Sequence, residues 1–274
     1  MVPAIACAGV LFGFQKPFHE YPGQEYNDFA IPADYQERTE FVWARLMHPD
    51  ATGGFGGVGR RGRGGRGGGG DWRHGYTWWT NDYPRADRHL TLALRRLTRV
   101  HTRSVEQAVN GEDRDDLFDW PLLYSSSWNF DLTDAEAANL REYLLRGGFL
   151  ICDDFWGTDQ WSTFVSTISR VLPERPIAEI PDDDPVFHSV FDLDKRYQIA
   201  GQWSLRSGVP YLNGGVDPHW RGIRDDRERL MVAIWFNSDT GDSWEWADAP
   251  EYPERYSALG IRMAVNHLVY AMTH

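Results

Sequence analysis

The clearest indication of the fold is one stretch of the sequence, WPLLYSSSWNFDLTDAEAANLREYLLRGGFLICDD, at residues 120–154. WPLLYSSS at its start and FLICDD at its end are apolar runs that are typical of buried strands. The sequence between them, 131–148, predicts a helix, because Thr133 and Glu136 have the spacing of a capping box and a Gly-Gly pair ends the pattern. Strand, helix and strand in this order predict a βαβ crossover, and therefore a mostly parallel sheet in an α/β domain.

Elements on both sides extend this pattern. FVWARLMH (41–48) and RLMVAIWFN (229–237) have the composition of strands. PRADRHLTLALRRLTR (84–99) predicts an amphipathic helix that opens with a proline and keeps its leucines on one face. RYSALGIRMAVNHLVYAM (255–272) predicts a closing helix. We therefore expect a single α/β domain over residues 39–274.

Two segments do not fit the pattern of that domain. Residues 1–38 have no sustained periodicity and contain four prolines, so we expect an extended, irregular N-terminal arm. Its start, MVPAIACAGVLFGF, has no charge over fourteen residues. It resembles the end of a secretion signal, or it is an apolar arm that docks on a partner. Residues 53–70 predict a Gly/Arg-rich insertion within the domain.

The Gly/Arg-rich stretch GRRGRGGRGGGGDW (59–72) has three candidate roles. A phosphate-binding loop requires a lysine between strand and helix, which this stretch lacks. RNA binding is disfavoured by the net charge of −12, although eleven arginines and only three acids lie between Arg60 and Arg103. We favour a basic arm that a partner orders together with the apolar terminus. The predicted partner contacts are Val2, Ile5, Leu11, Phe12, Phe14, Arg60, Arg61, Arg63 and Arg66.

Composition narrows the class of protein. A hydrophobic fraction of 42% is ordinary for a globular protein, and no run reaches the roughly 20 apolar residues of a membrane-spanning helix. Aromatic residues make up 14% of the chain, which predicts that some of them face a partner, a glycan or a membrane interface. We expect a peripheral protein on a membrane protein complex or membrane surface, on the extracytoplasmic side, with the cytoplasm left open and no nucleic acid as partner.

Several motifs carry a resemblance to a known family. They are GGGDW (68–72), DWPLLY followed by LTDAEAANLREYLLRGGFLICDDF (119–155), EIPDDDPVFHSVFDL (179–193), and LMVAIWFNSDTGDSWEW (230–246) followed by ALGIRMAVNHLVYA. In this order they resemble the bacterial family catalogued as domain of unknown function 4159, over about residues 41–272. The resemblance implies a flavodoxin-like, class I glutamine amidotransferase-like fold, a three-layer sandwich. Members of the family are often exported or joined to membrane segments.

Acidic residues follow the predicted strands at the edge where α/β sheets bind ligands. Asp153 and Asp154 end one strand, and Asp239 and Asp242 follow another. With Asp71 and His188 they make a candidate ligand or metal site, since adjacent carboxylates attract a divalent ion. In the alternative interpretation Asp153 caps the helix that follows it and the other acids hold turns.

Nucleophilic catalysis has weaker support in the sequence. An amidotransferase-type enzyme needs a cysteine on a strained turn, but Cys152 lies inside its predicted strand. Ser126 and Ser127 lack the G-x-S-x-G frame of a nucleophile elbow. The family resemblance implies a Gly-His pair where this chain has Ser127-Trp128.

Two functions follow from these observations. The first, which we favour, is a non-catalytic module that docks on a membrane complex through both arms and needs no cofactor. The second is a small-ligand, glycan or phosphate-binding protein or a hydrolase that uses the carboxylates at the strand ends.

Overall fold

The computed structural model describes residues 16–26, 29–51 and 71–274, and within these ranges seven strands form one sheet. The strands are β1 (Ala44–Met47), β2 (Gln107–Asn110), β3 (Leu122–Ser126), β4 (Phe149–Asp153), β5 (Ala178–Glu179), β6 (His219–Arg224) and β7 (Leu230–Phe236). The α-helices of the same ranges are α1 (Arg85–Leu97), α2 (Arg114–Leu117), α3 (Asp134–Leu145), α4 (Gly157–Val171), α5 (Gln202–Ser207), α6 (Thr240–Glu245) and α7 (Glu254–Thr273).

The sheet is mostly parallel, as the sequence predicts. Its strand order is β2-β1-β3-β4-β7-β6-β5, in which the first five strands are parallel and the last two pair antiparallel at one edge. The predicted βαβ unit is confirmed, because β3 and β4 are parallel neighbours in register from Leu122 opposite Phe149 to Ser126 opposite Asp153. Thr133 and Glu136 form the expected capping box at the start of α3.

Helices cover both faces of the sheet and give three layers. One hydrophobic cluster joins α1, α6 and α7 to side chains such as Trp43, Tyr124 and Trp235. The other joins α3 and α4 to side chains that include Leu123 and Cys152. Alternation along each strand sends successive residues into the two clusters, so both faces are apolar and the strands read as continuous apolar runs.

The strands that the sequence does not predict lie in the outer part of the sheet. β2 is an edge strand of four residues, and β6 belongs to the antiparallel extension. Three of the six residues of β6 are only half-buried, and its sequence HWRGIR lacks an apolar run. Strands near an edge need less apolar surface than central strands, which explains why their sequence signal is weak.

The predicted N-terminal arm, 1–38, is described from residue 16 onward apart from residues 27 and 28. The N-terminal strap, which we define as residues 16–26, lies on the domain. Lys16 forms an ion pair with Asp113 at 2.5 Å, and the backbone N–H of Tyr21 donates to the Tyr83 hydroxyl at 3.1 Å. This part of the arm therefore packs on its own chain.

The predicted partner contacts lie elsewhere in the chain. Val2, Ile5, Leu11, Phe12, Phe14, Arg60, Arg61, Arg63 and Arg66 lie outside the described residues. Among the described residues, none of the helices combines the length and apolarity that crossing a membrane requires.

A fully buried ion pair attaches the segment before α1 to the sheet. Arg45 of β1 donates to both carboxylate oxygens of Asp87 in α1, and the side chains of both residues are 0% exposed. The remaining guanidinium nitrogen of Arg45 donates to the backbone carbonyls of Trp79 and Asn81 at 3.1 and 3.0 Å. Arg45 thereby fixes the backbone of residues 79–81 against the carboxyl end of β1.

Breaking this pair is expected to destabilise the fold strongly. Arg45→Met leaves the Asp87 carboxylate buried without a partner, which costs about 3–5 kcal/mol of unfolding free energy. Urea denaturation followed by circular dichroism measures the loss. The exposed pair Arg114–Glu142 provides the control, and Arg114→Met should give only a small fraction of that loss. An Arg45→Met protein as stable as the wild type would contradict this role.

Candidate functional site

Asp153 organises the edge of the sheet at which the parallel strands end. It is the last residue of β4, it is 0% exposed, and it accepts hydrogen bonds from the Tyr124 hydroxyl and from the backbone N–H groups of Thr240 and Gly241, at 3.1, 3.2 and 2.8 Å. Burial raises the pKa of Asp153 to about 6, although the backbone hydrogen bonds oppose this shift. Asp153 thus fixes the first turn of α6 beside β3 and β4.

This contact changes the interpretation of Asp153 as a cap. The helix that follows Asp153 in sequence is α4, whose N-cap is Trp156 with no side-chain cap bond. Asp153 instead binds the first turn of α6, nearly ninety residues later in the chain. The prediction that Asp153 caps the following helix is therefore wrong, because strand β7 places α6 directly beside the end of β4.

Asp154 leaves the sheet in a left-handed conformation, with φ +55°. Its two carboxylate oxygens accept from the side chains of Asn81 and Trp156 at 3.0 and 3.1 Å, and the residue is 2% exposed. Burial, followed by the nearby charges of Asp153 and Asp242, raises the pKa of Asp154 well above its ordinary value.

Asp239 and Asp242 lie side by side at the start of α6. Asp239 is the N-cap and accepts from the backbone N–H of Asp242 at 2.9 Å, and Asp242 accepts from the backbone N–H of Gln202 at 2.5 Å. Gly201 permits this approach, because a Cβ there would lie 2.3 Å from Asp239 Oδ2 and 2.9 Å from Asp242 Oδ2. Burial and the charges of Asp154 and Asp242 raise the pKa of Asp239 well above its ordinary value.

Asp82 completes this group, and the sequence analysis missed it. It has φ +61°, is 2% exposed, and its Oδ1 accepts from the Asn81 side chain at 2.8 Å. Its Oδ2 has no hydrogen-bond partner among the described residues. Burial and the charges of Asp242 and Glu245 raise the pKa of Asp82 well above its ordinary value. One signal could have revealed it: Asp82 is one of only three acids in the arginine-rich region 60–103.

Two further carboxylates that the sequence analysis missed lie beside Asp82. Glu25 of the N-terminal strap accepts from the backbone N–H of Asp82 at 3.2 Å. Glu245, in the last turn of α6, is 1% exposed and accepts from the Tyr26 hydroxyl. Burial and the charge of Asp242 raise the pKa of Glu245 to about 10.

These side chains form one acidic pocket at the carboxyl ends of the parallel strands. We define the acidic pocket by its seven carboxyl side chains, which are Glu25, Asp82, Asp153, Asp154, Asp239, Asp242 and Glu245. Within it, one oxygen each from Asp82, Asp239 and Asp242 lie within 4.8 Å of one another, and so do one oxygen each from Glu25, Asp82 and Glu245.

The charge of the acidic pocket is not balanced by ion pairs among the described residues. In residues 16–26, 29–51 and 71–274, no arginine, lysine or histidine forms an ion pair with any of its seven carboxylates. Some buried acids elsewhere in the described residues are paired, as Asp87 is with Arg45, Glu106 with Arg88, and Asp184 with an arginine of β6, whereas Glu136 and Asp50 are buried singly without an ion pair. The pocket is therefore a concentration of carboxylates without ion pairs, and all of them except Glu25 are buried.

The other two predicted site residues lie outside both groups of close carboxylates. Asp71 caps a short 3₁₀ turn and pairs with Arg73 at 3.0 Å. His188 follows another 3₁₀ turn, where its ring nitrogens contact Asp192 Oδ1 at 3.1 Å and the Asp182 carbonyl at 2.9 Å. The carbonyl contact, and then the Asp192 carboxylate, raise the pKa of His188. Of the six residues proposed from sequence, the structure brings together Asp153, Asp154, Asp239 and Asp242.

Comparison with known proteins assigns a family to this arrangement. The family described as Domain of unknown function (DUF4159) matches residues 71–272, which include every carboxylate of the acidic pocket except Glu25. The match begins at residue 71 rather than near residue 41, so it leaves out β1 and the N-terminal strap. None of the curated proteins compared with this chain matches it. Since the matched region covers well over half of the sequence, the chain belongs to the DUF4159 family.

Proposed function

We propose that this chain binds a divalent cation in the acidic pocket, through Asp82, Asp239 and Asp242, and that the cation forms part of a site for a small ligand. One observation carries this proposal: within the part of the chain that the structure describes, Asp82 Oδ2 is buried without a hydrogen-bond partner, close to other carboxylates that form no ion pair with a basic side chain there. The proposal favours the second of the two functions that the sequence suggested, and it replaces the expectation that no cofactor is needed.

The distances among the three carboxylates suit an oxygen-ligated ion. Ca²⁺ binds carboxylate oxygens at about 2.3–2.6 Å, so ligands on opposite sides of one ion are about 5 Å apart. One oxygen each from Asp82, Asp239 and Asp242 lie within 4.8 Å of one another, which is inside that limit. Magnesium and manganese need slightly shorter metal–oxygen bonds, which small movements of the three side chains would allow.

Electrostatics also favour a cation. An ionised carboxylate costs several kcal/mol to bury unless it is paired, even after the protein relaxes. Without a cation, the pocket must hold protons to avoid this cost, and this is the meaning of the raised pKa values of Asp82, Asp239 and Glu245. A divalent cation would displace those protons and stabilise the ionised carboxylates.

The location supports a role in ligand binding. In open α/β sheets, ligands bind beyond the carboxyl ends of the parallel strands. Asp153 and Asp154 extend from β4 at that edge, and a cation there would polarise an oxygen atom of a ligand or an attacking water. Cys152 offers no alternative nucleophile, because it is fully buried and burial raises the pKa of its thiol.

We also infer the finer fold that the family resemblance implies. Numbered among themselves, the five parallel strands have the order 2-1-3-4-5, which is the order of flavodoxin-like proteins. This order supports the flavodoxin-like assignment. The class I glutamine amidotransferase-like assignment is a proposal about ancestry and implies no amidotransferase activity here.

Cation binding is expected to stabilise the protein, and Asp82→Asn should remove the effect. A ligand present at 100 times its Kd contributes about 2.7 kcal/mol to unfolding free energy. For a chain of this size, Tm should rise by about 5 to 10 °C. Differential scanning calorimetry of chelator-treated protein with Ca²⁺, Mg²⁺ or Mn²⁺ measures the shift. Asp159→Asn, an exposed change in α4, is the matched control and should respond like the wild type. No shift with any of the three cations would contradict the proposal.

The pocket also predicts a pH dependence of stability in chelator. Asp82, Asp239 and Glu245 have raised pKa values when folded, so the folded state holds more protons than the unfolded state above about pH 4.3. The unfolding free energy should therefore fall as pH rises from 5.5 to 8.5. This range lies below the folded-state pKa of Glu245, about 10, at which the contribution of that residue is finally lost. Urea denaturation at pH 5.5, 7 and 8.5 measures the slope.

Comparison with Asp82→Asn isolates the contribution of the pocket to this slope. His188 also has a raised pKa, so its stabilisation is likewise lost as pH rises, but Asp82→Asn leaves that contribution unchanged. The slope should be shallower in Asp82→Asn than in the wild type and unchanged in Asp159→Asn. Equal slopes in all three proteins would mean that the pocket does not hold protons.

Docking on a membrane protein complex, on the extracytoplasmic face, stays a second proposal. It is favoured by Trp203 in α5, which is 72% exposed, and by Val209 and Val216 beyond the helix, which are 40% and 53% exposed. Exposed apolar side chains of this size are typical of protein contact surfaces.

If the Gly/Arg-rich insertion contributes to docking, its arginines should matter in a salt-sensitive way. Replacing Arg60, Arg61, Arg63 and Arg66 with serine should weaken recovery of the complex from detergent-solubilised membranes, because four charge contacts are lost. The Tm of the purified chain should not change. Equal recovery of the variant and the wild type at low and high salt would contradict this role.

A further inference from the structure

We propose that the acidic pocket holds two divalent cations bridged by Asp82, with Glu25 and Glu245 as ligands of the second. This inference rests on the proposed function, since it adds a second ion to the first. The two groups of close carboxylate oxygens share one member, Asp82, and each group lies within 4.8 Å. A carboxylate shared between two ligand sets is the usual bridge of a two-metal site, in which the ions lie about 3.5–4 Å apart.

The hydrogen bonding of the Asp82 carboxylate is a second observation that supports a bridging role. Its Oδ1 accepts a hydrogen bond from Asn81, whereas its Oδ2 has no partner among the described residues although the residue is 2% exposed. Gly241 leaves room for Oδ2, because a Cβ at that position would lie 2.4 Å from it. A buried carboxylate oxygen without a donor normally binds a metal or a proton.

The surroundings of Glu245 favour a metal over an internal salt bridge. The Tyr26 hydroxyl donates to Glu245 Oε1 and orients its carboxylate. Arg85 donates to Tyr26 at 3.0 Å and pairs with Asp248 at 2.6 Å, and among the described residues it forms no ion pair with Glu245. The second position is thus lined by oxygen atoms, which are the ligands that hard divalent cations prefer.

The charge of the pocket is better balanced by two ions than by one. Seven carboxylates converge there, and one divalent ion would leave most of their charge uncompensated. Two ions supply four positive charges, which leaves a smaller residual charge in the pocket, where Asp153 is already stabilised by backbone hydrogen bonds. Two cations at this separation bind one oxyanion across them, so the ligand class we infer is a phosphate or a related oxyanion.

The second position depends on the N-terminal strap, unlike the first. Glu25 precedes the family-matched region 71–272, whereas Asp82, Asp239 and Asp242 all lie within it. The strap packs tightly against the domain, because a Cβ added at Gly23 would lie 2.6 Å from the Tyr83 carbonyl oxygen. A binuclear site in this chain is therefore completed by a segment outside the family domain.

Metal stoichiometry tests this inference on the full chain. Chelator-treated protein is dialysed against Mn²⁺, and bound metal is measured by elemental analysis and by electron paramagnetic resonance. We expect two equivalents of Mn²⁺ and the spectrum of two coupled ions. Glu25→Gln and Glu245→Gln should each bind one equivalent and lose the coupling, whereas Glu251→Gln, an exposed change, should still bind two. Inorganic phosphate should alter the coupled spectrum of the wild type and not the spectra of the two pocket variants.

The outcomes separate this inference from the proposed function. Binding of no Mn²⁺ by the wild type would overturn both. Binding of one equivalent by the wild type and by both pocket variants would overturn the second ion and leave the first. Two equivalents in Glu25→Gln and Glu245→Gln would also overturn the inference, because the second ion would then lie elsewhere. Glu25 belongs to the surface strap, so Glu25→Gln decides the matter even if Glu245→Gln fails to fold.

Discussion

The hydrogen bonds to Asp153 are the contact on which the geometry of the site depends. One carboxylate at the end of β4 binds the Tyr124 hydroxyl of β3 and the first two backbone N–H groups of α6. Since α6 carries Asp239, Asp242 and Glu245 at or near its ends, this contact determines where three other acids lie. A helix start that is fixed by a buried carboxylate is favoured by the helix dipole as well as by hydrogen bonds.

The opposite side of the pocket depends on a second buried carboxylate contact. Arg45 pairs with Asp87 and holds the carbonyls of Trp79 and Asn81, which places Asp82 directly after a fixed backbone. Three non-glycine residues at this edge, Asp82, Asp154 and Asn237, have positive φ values of 61°, 55° and 58°. Each such conformation costs about 1 kcal/mol or more and clusters at functional sites, so the strain is consistent with a binding role.

The acidic pocket differs from the other buried acids of the described residues in that several carboxylates lie close together, and this closeness is what favours a function. Asp87 and Glu106 are matched by arginines, so their burial needs no ligand. The carboxylates of the acidic pocket have each other as neighbours, and burial followed by mutual repulsion raises the pKa values of Asp82 and Asp239. A fold that needed these acids only for stability would gain from pairing or replacing them, since unpaired buried charge destabilises the native state. Their close arrangement is therefore better explained by a cation and its ligand.

Sequence patterns alone predicted the α/β class, the βαβ unit and four of the seven carboxylates of the acidic pocket. Asp153, Asp154, Asp239 and Asp242 could be predicted as neighbours because the carboxyl ends of parallel strands meet at one edge of a sheet. Asp82, Glu25 and Glu245 were not predicted, because each reaches the pocket through a nonlocal contact. Arg45 places the backbone before Asp82, the strap brings Glu25 across the domain, and Asp153 orients α6 and therefore Glu245. Asp71 and His188 had the right chemistry for the site, but the chain holds them in turns of their own. Periodicity and strand order are local or topological properties that a sequence can reveal, whereas the meeting of side chains from a loop, a strap and a helix is decided only when the tertiary contacts form.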